Sequence, residues 1–112
     1  YEPFRHLAET QNATDAHHNT IQLFFGDARK TILTLEDNRF DRVYFDAFSP
    51  SKQPELWTAD VFAQVHRVMK PGAKLSTYSC AKWIRANMQQ AGFTVMDGPV
   101  IGRRSPATIG VK

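Results

Sequence analysis

The fold of this chain is decided by the stretch Arg42-Val43-Tyr44-Phe45-Asp46-Ala47-Phe48-Ser49-Pro50. Its first half is apolar and typical of a buried strand, and its second half is a turn that opens with a carboxylate. Open α/β sheets bind their ligands in the crevice beyond the carboxyl ends of the strands. The stretch therefore predicts an α/β fold with a site at Asp46.

A second acidic turn closes an earlier apolar run. Ile21–Phe25 is nearly continuous in apolar residues, as in a strand buried on both faces, and Gly26-Asp27-Ala28 follows it directly. Asp27 is placed to cap a helix that runs from Ala28 to about Leu35. Two predicted strand ends that each carry an aspartate indicate a ligand site as well as a fold.

The rest of the chain alternates helical and strand patterns. The predicted elements are a helix capped by Thr58 and ended by Lys70-Pro71-Gly72, a strand Lys74–Ser79, a helix Lys82–Ala91, and two final strands, Phe93–Met96 and Ala107–Val111. Residues 1–10 are expected to be the end of a helix and residues 11–19 a connecting loop. This order favours a mostly parallel α/β sheet that ends in an antiparallel hairpin.

Apolar spacing also predicts which side chains are buried. The expected core consists of the strand residues Tyr44 and Phe45 and of the apolar faces of the two longer helices, namely Val61, Phe62, Val65, Val68, Met69, Trp83, Ile84 and Met88. Cys80 has no second cysteine to pair with in this sequence, and we expect it to be a buried apolar residue in a reducing compartment.

Composition narrows the class of protein. The chain has 112 residues, 42% of them hydrophobic, which suits one globular domain. No apolar run approaches the ~18 residues that span a membrane, and no charged-then-apolar leader opens the sequence, so a cytoplasmic location is expected. His17-His18 lacks further ligands, so no metal is expected. The net charge of +3 is a mild bias toward polyanions.

Several of these segments resemble one known family, the MnmC-like methyltransferase domains. The motifs that carry the resemblance are Phe25-Gly26-Asp27-Ala28, the run from Phe45 to Trp57, Lys70-Pro71-Gly72, Ala91-Gly92-Phe93-Thr94-Val95 and Gly102-Arg103-Arg104. The pattern Asp-x-Phe-x-Pro-x-Lys-x-Pro-x-x-Trp, from Asp46 to Trp57, is specific, whereas the Pro-Gly and Gly-Phe pairs are general to the fold. From Phe25 to Lys112 the chain is similar to the C-terminal two-thirds of such a domain.

The resemblance implies a fold, an activity and partners. Family members have the class I, Rossmann-like methyltransferase fold. They use S-adenosyl-L-methionine to convert the aminomethyl group of a tRNA wobble uridine to methylaminomethyl. The expected cofactor is therefore S-adenosyl-L-methionine, and the expected partner is tRNA. In some members a flavin-dependent oxidase accompanies this activity, fused or separate, and nothing in this sequence indicates that domain.

The resemblance also implies roles for single residues. Asp46 corresponds to the active-site aspartate, which would accept a hydrogen bond from the attacking amine. The cofactor-binding turn corresponds to Gly26, Asp27 and Ala28, with Asp27 toward the adenine amino group. The implied substrate-binding residues are Phe48, Pro50 and Trp57 around the uridine, and Lys52, Arg103 and Arg104 on phosphates.

The residues alone leave plainer alternatives open for several of these positions. Asp27 can be a simple helix cap, and Asp46 can be a structural aspartate held by backbone N–H groups. Trp57 can be an ordinary core residue, since it immediately precedes a helix. The Arg103-Arg104 pair can remain a solvated surface.

Two features depart from the family. Ala47 and Gln53 stand where glycine and asparagine are common, and alanine tolerates a positive φ poorly. No glycine-rich cofactor loop occurs in the sequence. Residues 1–112 are therefore expected to be a single partial methyltransferase domain, either a fragment of a longer protein or a remnant.

The family's strand order, 3-2-1-4-5-7-6, indicates which strands such a partial domain would lack. Ile21–Phe25 corresponds to strand 3 and Val43–Phe45 to strand 4, and the two strands that lie between them in the sheet are missing. The two strands must pair directly, borrow neighbours from another chain, or leave an edge exposed. Weak cofactor binding and self-association through an uncovered apolar face are therefore expected of this chain.

Two other functions stay open. A spermidine-synthase-like aminopropyltransferase also has Gly-Asp after one strand and an aspartate turn after the next. Its turn usually carries a second acidic residue, however, whereas residues 48–52 are neutral to basic. A non-catalytic RNA-binding remnant would be consistent with the missing cofactor loop.

Overall fold

The chain forms two compact units, Tyr1–Thr31 and Ile32–Lys112, in a computed structural model that describes residues 12–14, 20–100 and 105–112. In the first unit, strands β1 (Asn12–Thr14) and β2 (Thr20–Gln22) form an antiparallel pair, and α1 (Ala28–Thr31) is a single helical turn. Residues 1–10, where the sequence predicts the end of a helix, lie outside the described part.

The first unit differs from the prediction in two places. Residues 12–14, predicted as loop, are a strand, and β2 ends at Gln22 instead of continuing to Phe25. Phe24 and Phe25 are 48% and 63% exposed, so the prediction of a strand buried on both faces is wrong. A two-stranded ribbon is too small to bury both faces of its own strands.

The second unit is a four-stranded sheet with helices. Its elements are a 3₁₀ turn Ile32–Thr34, β3 (Phe40–Phe45), a 3₁₀ turn Pro54–Leu56, α2 (Ala59–Val68), β4 (Met69–Thr77), α3 (Lys82–Gln90), β5 (Thr94–Asp97) and β6 (Thr108–Val111). The strands lie in the order β3-β4-β6-β5. β3 and β4 are parallel, and β6 is antiparallel to both β4 and β5. The predicted α/β class with a C-terminal antiparallel hairpin is confirmed, in a sheet that is mixed rather than mostly parallel.

Helix α2 begins and ends for local reasons. The Val61 N–H donates to Thr58 Oγ1 at 3.3 Å, which caps the first turn. Its buried positions recur at helical spacing and are Phe62, Val65 and Val68. The helix stops at Val68, since Pro71 cannot continue it. Met69 already belongs to β4, which is irregular at its start and regains register with β3 further along.

One face of the sheet packs against the helices. The core there consists of Trp57, Phe62, Val65, Met69, Ala73, Leu75, Ile84, Met88 and Phe93. A fully buried apolar side chain of this size contributes roughly 1.5–3 kcal/mol. Gly110 on β6 lies so close to α3 that an added Cβ would meet Met88 Cε at 2.7 Å. A larger residue at this position would force the Met88 and Phe93 side chains to shift.

Two residues predicted for the core lie at the surface. Tyr44 is 77% exposed, because it alternates with Val43 and Phe45, whose side chains pack toward the core. Trp83 is 46% exposed, because α3 buries the next residue, Ile84, and successive helical residues point about 100° apart. Both errors concern which face is covered, and the secondary structure around them is as predicted.

The opposite face of the sheet carries a row of side chains in register. Tyr44, Ser76, Ile109 and Met96 are successive cross-strand neighbours from β3 to β5. Among the described residues β3 pairs only with β4, and β2 pairs with β1. Direct pairing of the family's strands 3 and 4, one of the three expected outcomes, is therefore not found among the described residues. The order β3-β4-β6-β5 matches the 4-5-7-6 part of the family order.

Candidate active site

The turn after β3 presents the carboxylate predicted to be catalytic. Asp46 directly follows the last residue of β3, and its side chain is exposed. Phe48, two residues further on, is 73% exposed. The N–H groups of Lys52 and Gln53 both donate to the Ser49 carbonyl at 2.9 Å, which closes the turn. A carboxylate and an aromatic ring are thus presented at the surface by one closed turn.

Ala47 does not need the backbone conformation that glycine would permit there. Among the described residues, Asn38 is the non-glycine residue with a positive φ, at 52°. Ala47 therefore has a φ that alanine adopts without strain. Alanine in place of the glycine that is common in the family therefore leaves the turn unstrained at position 47.

Two aromatic side chains hold this turn. The Trp57 indole Nε1 donates to the Phe48 carbonyl at 2.9 Å, and the Tyr78 hydroxyl donates to the Ala47 carbonyl at 2.9 Å. The two rings meet edge to face, with centroids 5.7 Å apart. Trp57 is fully buried and also meets Phe45 at 5.0 Å between centroids. Trp57 and Tyr78 are called the aromatic clasp below.

A cavity of about 360 Å³ opens beside Asp46 at the carboxyl ends of β3 and β4. Its lining residues are Tyr44, Phe45, Asp46, Ser76, Thr77, Tyr78, Pro99, Ala107, Thr108 and Ile109. Small-ligand sites are typically concave, mostly apolar and provided with a few polar groups, as this cavity is. Its position is the one that open α/β sheets use for their ligands.

Arg85 fixes the far wall of this cavity. Its guanidinium donates to Asp97 Oδ1 at 2.6 Å, to Thr108 Oγ1 at 2.9 Å and to the Ala107 carbonyl at 3.3 Å. The Thr108 hydroxyl donates in turn to the Ser79 carbonyl at 2.6 Å. These hydrogen bonds therefore connect the wall to α3, to β5, to β6 and to the turn after β4.

Asp27, in the first unit, is engaged by its neighbour. Its Oδ1 accepts the Arg29 backbone N–H at 2.9 Å, which caps α1, and the Arg29 guanidinium pairs with Oδ2 at 2.8 Å. These bonds, the side-chain one first and the backbone one second, lower the pKa of Asp27 below its ordinary value of 3.8. The helix-cap role that the residues alone suggest is therefore present.

The structure groups some of the predicted site residues and separates others. The turn after β3 carries Asp46, Phe48, Pro50 and Lys52. The cofactor-binding candidates Gly26, Asp27 and Ala28 belong to the first unit. Arg103 and Arg104 lie outside the described residues.

Trp57 differs from the other substrate-binding candidates in its burial. It is 0% exposed and packs in the core, as its alternative interpretation expects. Its ring has no free surface on which a base could stack. Direct contact between Trp57 and the uridine stays a prediction, and its burial disfavours it.

Most of the cavity wall gives little signal in the sequence. Of the ten lining residues, the sequence predicts only Asp46 as a site residue, and the nine others include Tyr78, Pro99, Ala107 and Ile109. Tyr78 could be found, because it lies at the carboxyl end of a predicted strand, where ligand-binding residues of α/β sheets are expected. Ala107 and Ile109 could not, because β6 is antiparallel and reaches the cavity with its amino end.

Residues 12–14, 20–100 and 105–112 contain neither a cluster of metal ligands nor a membrane-spanning helix. Within these residues no three His, Cys, Asp or Glu side chains are grouped so that they could hold a metal ion. The helices in the same part of the chain are too short or too polar to cross a membrane. Cys80, predicted to be buried, is only half-buried.

Comparison with known proteins identifies the family. A family profile described as S-adenosyl-L-methionine-dependent methyltransferase matches residues 3–112. This chain belongs to that family. The predicted fold class is confirmed, and the cofactor of the family is the one that the resemblance implies.

Relatives agree with the resemblance to MnmC-like domains. The chain is 35% identical over 106 residues to the tRNA 5-methylaminomethyl-2-thiouridine biosynthesis bifunctional protein MnmC of Pseudomonas entomophila, across 95% of this chain and 16% of that protein. It is 40% identical over 95 residues to the protein of the same name from Ralstonia nicotianae, across 85% of this chain and 14% of that protein. The chain thus spans about a sixth of the length of these relatives.

Solved structures support the same assignment. MnmC2 from Aquifex aeolicus matches with a TM-score of 0.80 and 32% identity, across 95% of this chain and 35% of that one. A SAM-dependent methyltransferase from Archaeoglobus fulgidus matches with a TM-score of 0.61 and 12% identity, across 82% of this chain and 68% of that one. The second likeness concerns the fold alone.

Proposed function

We propose that the protein containing this chain transfers a methyl group from S-adenosyl-L-methionine to the amine of an aminomethyl-substituted wobble uridine in tRNA. The single observation that carries the proposal is Asp46, which stands at the carboxyl end of β3 and lines the cavity of about 360 Å³. The names of the relatives, which refer to tRNA 5-methylaminomethyl-2-thiouridine biosynthesis, support the substrate class.

Asp46 is proposed to act on the incoming amine. A primary amine must direct a neutral lone pair at the methyl carbon, and a carboxylate that accepts one of its N–H groups orients that lone pair. Positive charge would develop on the nitrogen as it takes up the methyl group, and the Asp46 carboxylate would stabilise that charge. The proton lost from the methylated nitrogen passes to Asp46 or to solvent. S-adenosyl-L-methionine supplies the electrophilic methyl group when bound.

The turn Gly26-Asp27-Ala28 is proposed to hold the adenine part of the cofactor. Gly26 has a φ of +117°, and no atom of the described residues lies within 4 Å of a Cβ built on it, so they leave its backbone open to a flat ring. Arg29 makes four contacts with the Asp27 carboxylate, at 2.8 to 3.3 Å, and these match the about four lone-pair sites of an ionised carboxylate. The adenine amino group is therefore proposed to replace one of the bonds from the Arg29 guanidinium. The residues present therefore fit the group.

The substrate contacts are proposed to come from the turn after β3 and from the arginine pair. Flat apolar surfaces hold bases that leave a stack, which suits the exposed ring of Phe48 and the neighbouring Pro50. Lys52 is exposed on the same turn, and with Arg103 and Arg104 it is proposed to contact phosphates.

Lys52→Ala tests the phosphate contacts. Removing a lysine that neutralises a phosphate should weaken tRNA binding and reduce the slope of log Kd against log salt by about 1. Lys82→Ala, which removes an exposed lysine from α3, is the matched control. Filter binding at several salt concentrations measures both slopes. A Lys52→Ala slope equal to that of the wild type would place the phosphate contacts elsewhere.

Asp46→Asn in the full-length polypeptide that contains residues 1–112 tests the proposed function. The carboxamide keeps the size of the side chain and removes its charge. Methyl transfer to tRNA, followed by mass spectrometry of the nucleosides, should fall about 100-fold or more. The Kd for S-adenosyl-L-methionine, measured by calorimetry, should stay close to that of the wild type, because Asp46 serves the amine.

The matched control is Asp41→Asn, on the same strand, whose side chain is 81% exposed and pairs with Lys70. This variant should keep the wild-type rate. Wild-type turnover in Asp46→Asn would refute the catalytic role. A wild-type protein that methylates no tRNA would favour the non-catalytic alternative.

The aminopropyltransferase alternative has less support from the site. Asp46 is the one acidic residue among those that line the described cavity. A polyamine carries several positive charges, and Lys52 on the same turn adds another, so the site offers one carboxylate where several cations would need partners. Assays with polyamine acceptors in place of tRNA distinguish the two reactions.

Partner and location are proposed on the same basis. The relatives are named bifunctional, and the family resemblance implies that the second activity is a flavin-dependent oxidase. A cytoplasmic location is proposed because a tRNA-modifying enzyme works where tRNA is present. Recovery of the protein in a secreted fraction after cell fractionation would contradict it.

A further inference from the structure

We propose that Tyr78 is a positioning residue for the methyl transfer, because its hydroxyl fixes the turn that carries Asp46. The proposal rests on the proposed function and adds to it a residue that the sequence does not single out. Tyr78 directly follows β4, the neighbour of β3 in the sheet. It lines the same cavity as Asp46.

The decisive contact joins Tyr78 to the residue after Asp46. The Tyr78 hydroxyl donates to the Ala47 carbonyl at 2.9 Å. That carbonyl belongs to the second peptide unit after the Asp46 Cα, so the bond restricts how the backbone leaves the catalytic residue. The next carbonyl, that of Phe48, accepts from Trp57 Nε1 at 2.9 Å. The two residues of the aromatic clasp, which come from different parts of the fold, therefore hold two consecutive carbonyls of the turn.

The Tyr78 ring is itself held in place. It packs edge to face on Trp57, with centroids 5.7 Å apart and planes at 82°. Trp57 is fully buried, and its backbone carbonyl accepts from Asn87 Nδ2 on α3 at 2.9 Å. The hydroxyl thus reaches the turn from a ring anchored in the core. At 37% exposure, Tyr78 lies where this core meets the cavity.

Loss of the Tyr78 hydroxyl should affect the geometry of the turn rather than cofactor binding. The turn would keep the Trp57 contact and its own bonds to the Ser49 carbonyl, but it would lose the anchor nearest Asp46. Catalytic groups must be held within about 0.5 Å of their productive positions. A looser Asp46 therefore lowers kcat, whereas the proposed cofactor contacts of Gly26, Asp27 and Ala28 lie outside this turn and are left as they were.

Tyr78→Phe in the full-length polypeptide is the first test, because it removes the hydroxyl and keeps the ring on Trp57. We expect kcat to fall about two- to tenfold, the loss that one neutral hydrogen bond produces. Kd for the cofactor and the thermal midpoint should remain at their wild-type values. A tyrosine with only a structural role would instead lower the midpoint, with kcat unchanged at temperatures below it, and that result would overturn the proposal.

Hydrogen exchange gives a second readout that does not depend on activity. The amides of Lys52 and Gln53, bonded to the Ser49 carbonyl, report on closure of the turn. They should exchange several-fold faster in Tyr78→Phe. Tyr44→Phe is the matched control for exchange, because it removes a hydroxyl from the same cavity without touching the Ala47 carbonyl. Wild-type exchange in Tyr78→Phe would overturn the proposal.

The two readouts separate this proposal from the one on which it rests. If the wild-type protein methylates no tRNA, the proposed function fails, and the exchange rates alone decide whether Tyr78 holds the turn. If the wild type is active and Tyr78→Phe keeps its kcat, the proposed function stands and Tyr78 is not a positioning residue.

Discussion

At the scale of single residues, two aspartates in similar sequence contexts have different surroundings. Both follow an apolar run and open a turn. Asp46 is exposed beside a cavity. Asp27 caps α1 and pairs with Arg29, and this pairing lowers its pKa. The difference comes from the basic neighbour two residues on, which Asp27 has and Asp46 lacks.

Asp27→Ser tests whether the cap also serves the cofactor. Serine keeps an oxygen that can cap α1 but removes the carboxylate. If Asp27 accepts a bond from the adenine amino group, the full-length variant should bind S-adenosyl-L-methionine about tenfold more weakly, since bonds to charged groups are worth more than neutral ones. The unfolding midpoint should change little. Equal affinity by calorimetry would leave Asp27 as a cap only.

At the scale of elements, α2 is joined to the segment before β5 through His66. Its ring meets Phe93 edge to face with centroids 5.0 Å apart, and it lies 3.1 Å from the position that a Cβ on Gly92 would occupy. Burial, and after it the positive charge of Lys112, lower the pKa of His66 below its ordinary value of 6.5. The packed ring is therefore neutral in the folded state at neutral pH.

The free energy of unfolding should decrease on mild acidification. The unfolded chain binds the His66 proton more readily than the folded chain once the pH drops below 6.5. The loss should continue down to the lower, folded-state pKa and then level off. His66→Gln should show a flatter pH dependence in urea titrations between about pH 5 and 7. The other three histidines are present in both proteins, so any difference between the two pH profiles comes from His66. Identical pH profiles would contradict the prediction.

At the scale of the whole molecule, the sheet of the second unit exposes apolar side chains on the face away from α3. Tyr44 and Met96, in one cross-strand row, are 77% and 46% exposed. The β3 edge has no further strand beside it among the described residues. Exposed apolar faces and free strand edges both favour association between copies of a chain.

Residues 1–112 on their own should therefore self-associate, with a sedimentation coefficient that rises with concentration. Met96→Lys should weaken this, because it places a charge on the exposed row. Trp83→Lys is the matched control, since Trp83 is also 46% exposed but lies on α3. Equal effects of the two substitutions would place the association surface elsewhere. Tight cofactor binding by a monomer of these residues would contradict the expected weak binding.

The sequence by itself determined the elements of the second unit and the place of Asp46. A capping threonine and helical spacing predict α2, and an apolar run followed by an acidic turn predicts β3 and its exposed carboxylate. These features depend only on residues that are close to one another in the sequence. The aspartate after β3 could therefore be chosen as a site residue before any contact was known.

Only the tertiary structure decided which faces are covered and which side chains meet. Tyr44, Phe24 and Phe25 are apolar enough for a core but are exposed, because burial depends on what the rest of the chain places against them. The bond from Tyr78 to Ala47 joins residues 31 apart in sequence. No local pattern specifies such a contact, because it depends on β4 lying beside β3 and on Trp57 filling the core beneath both.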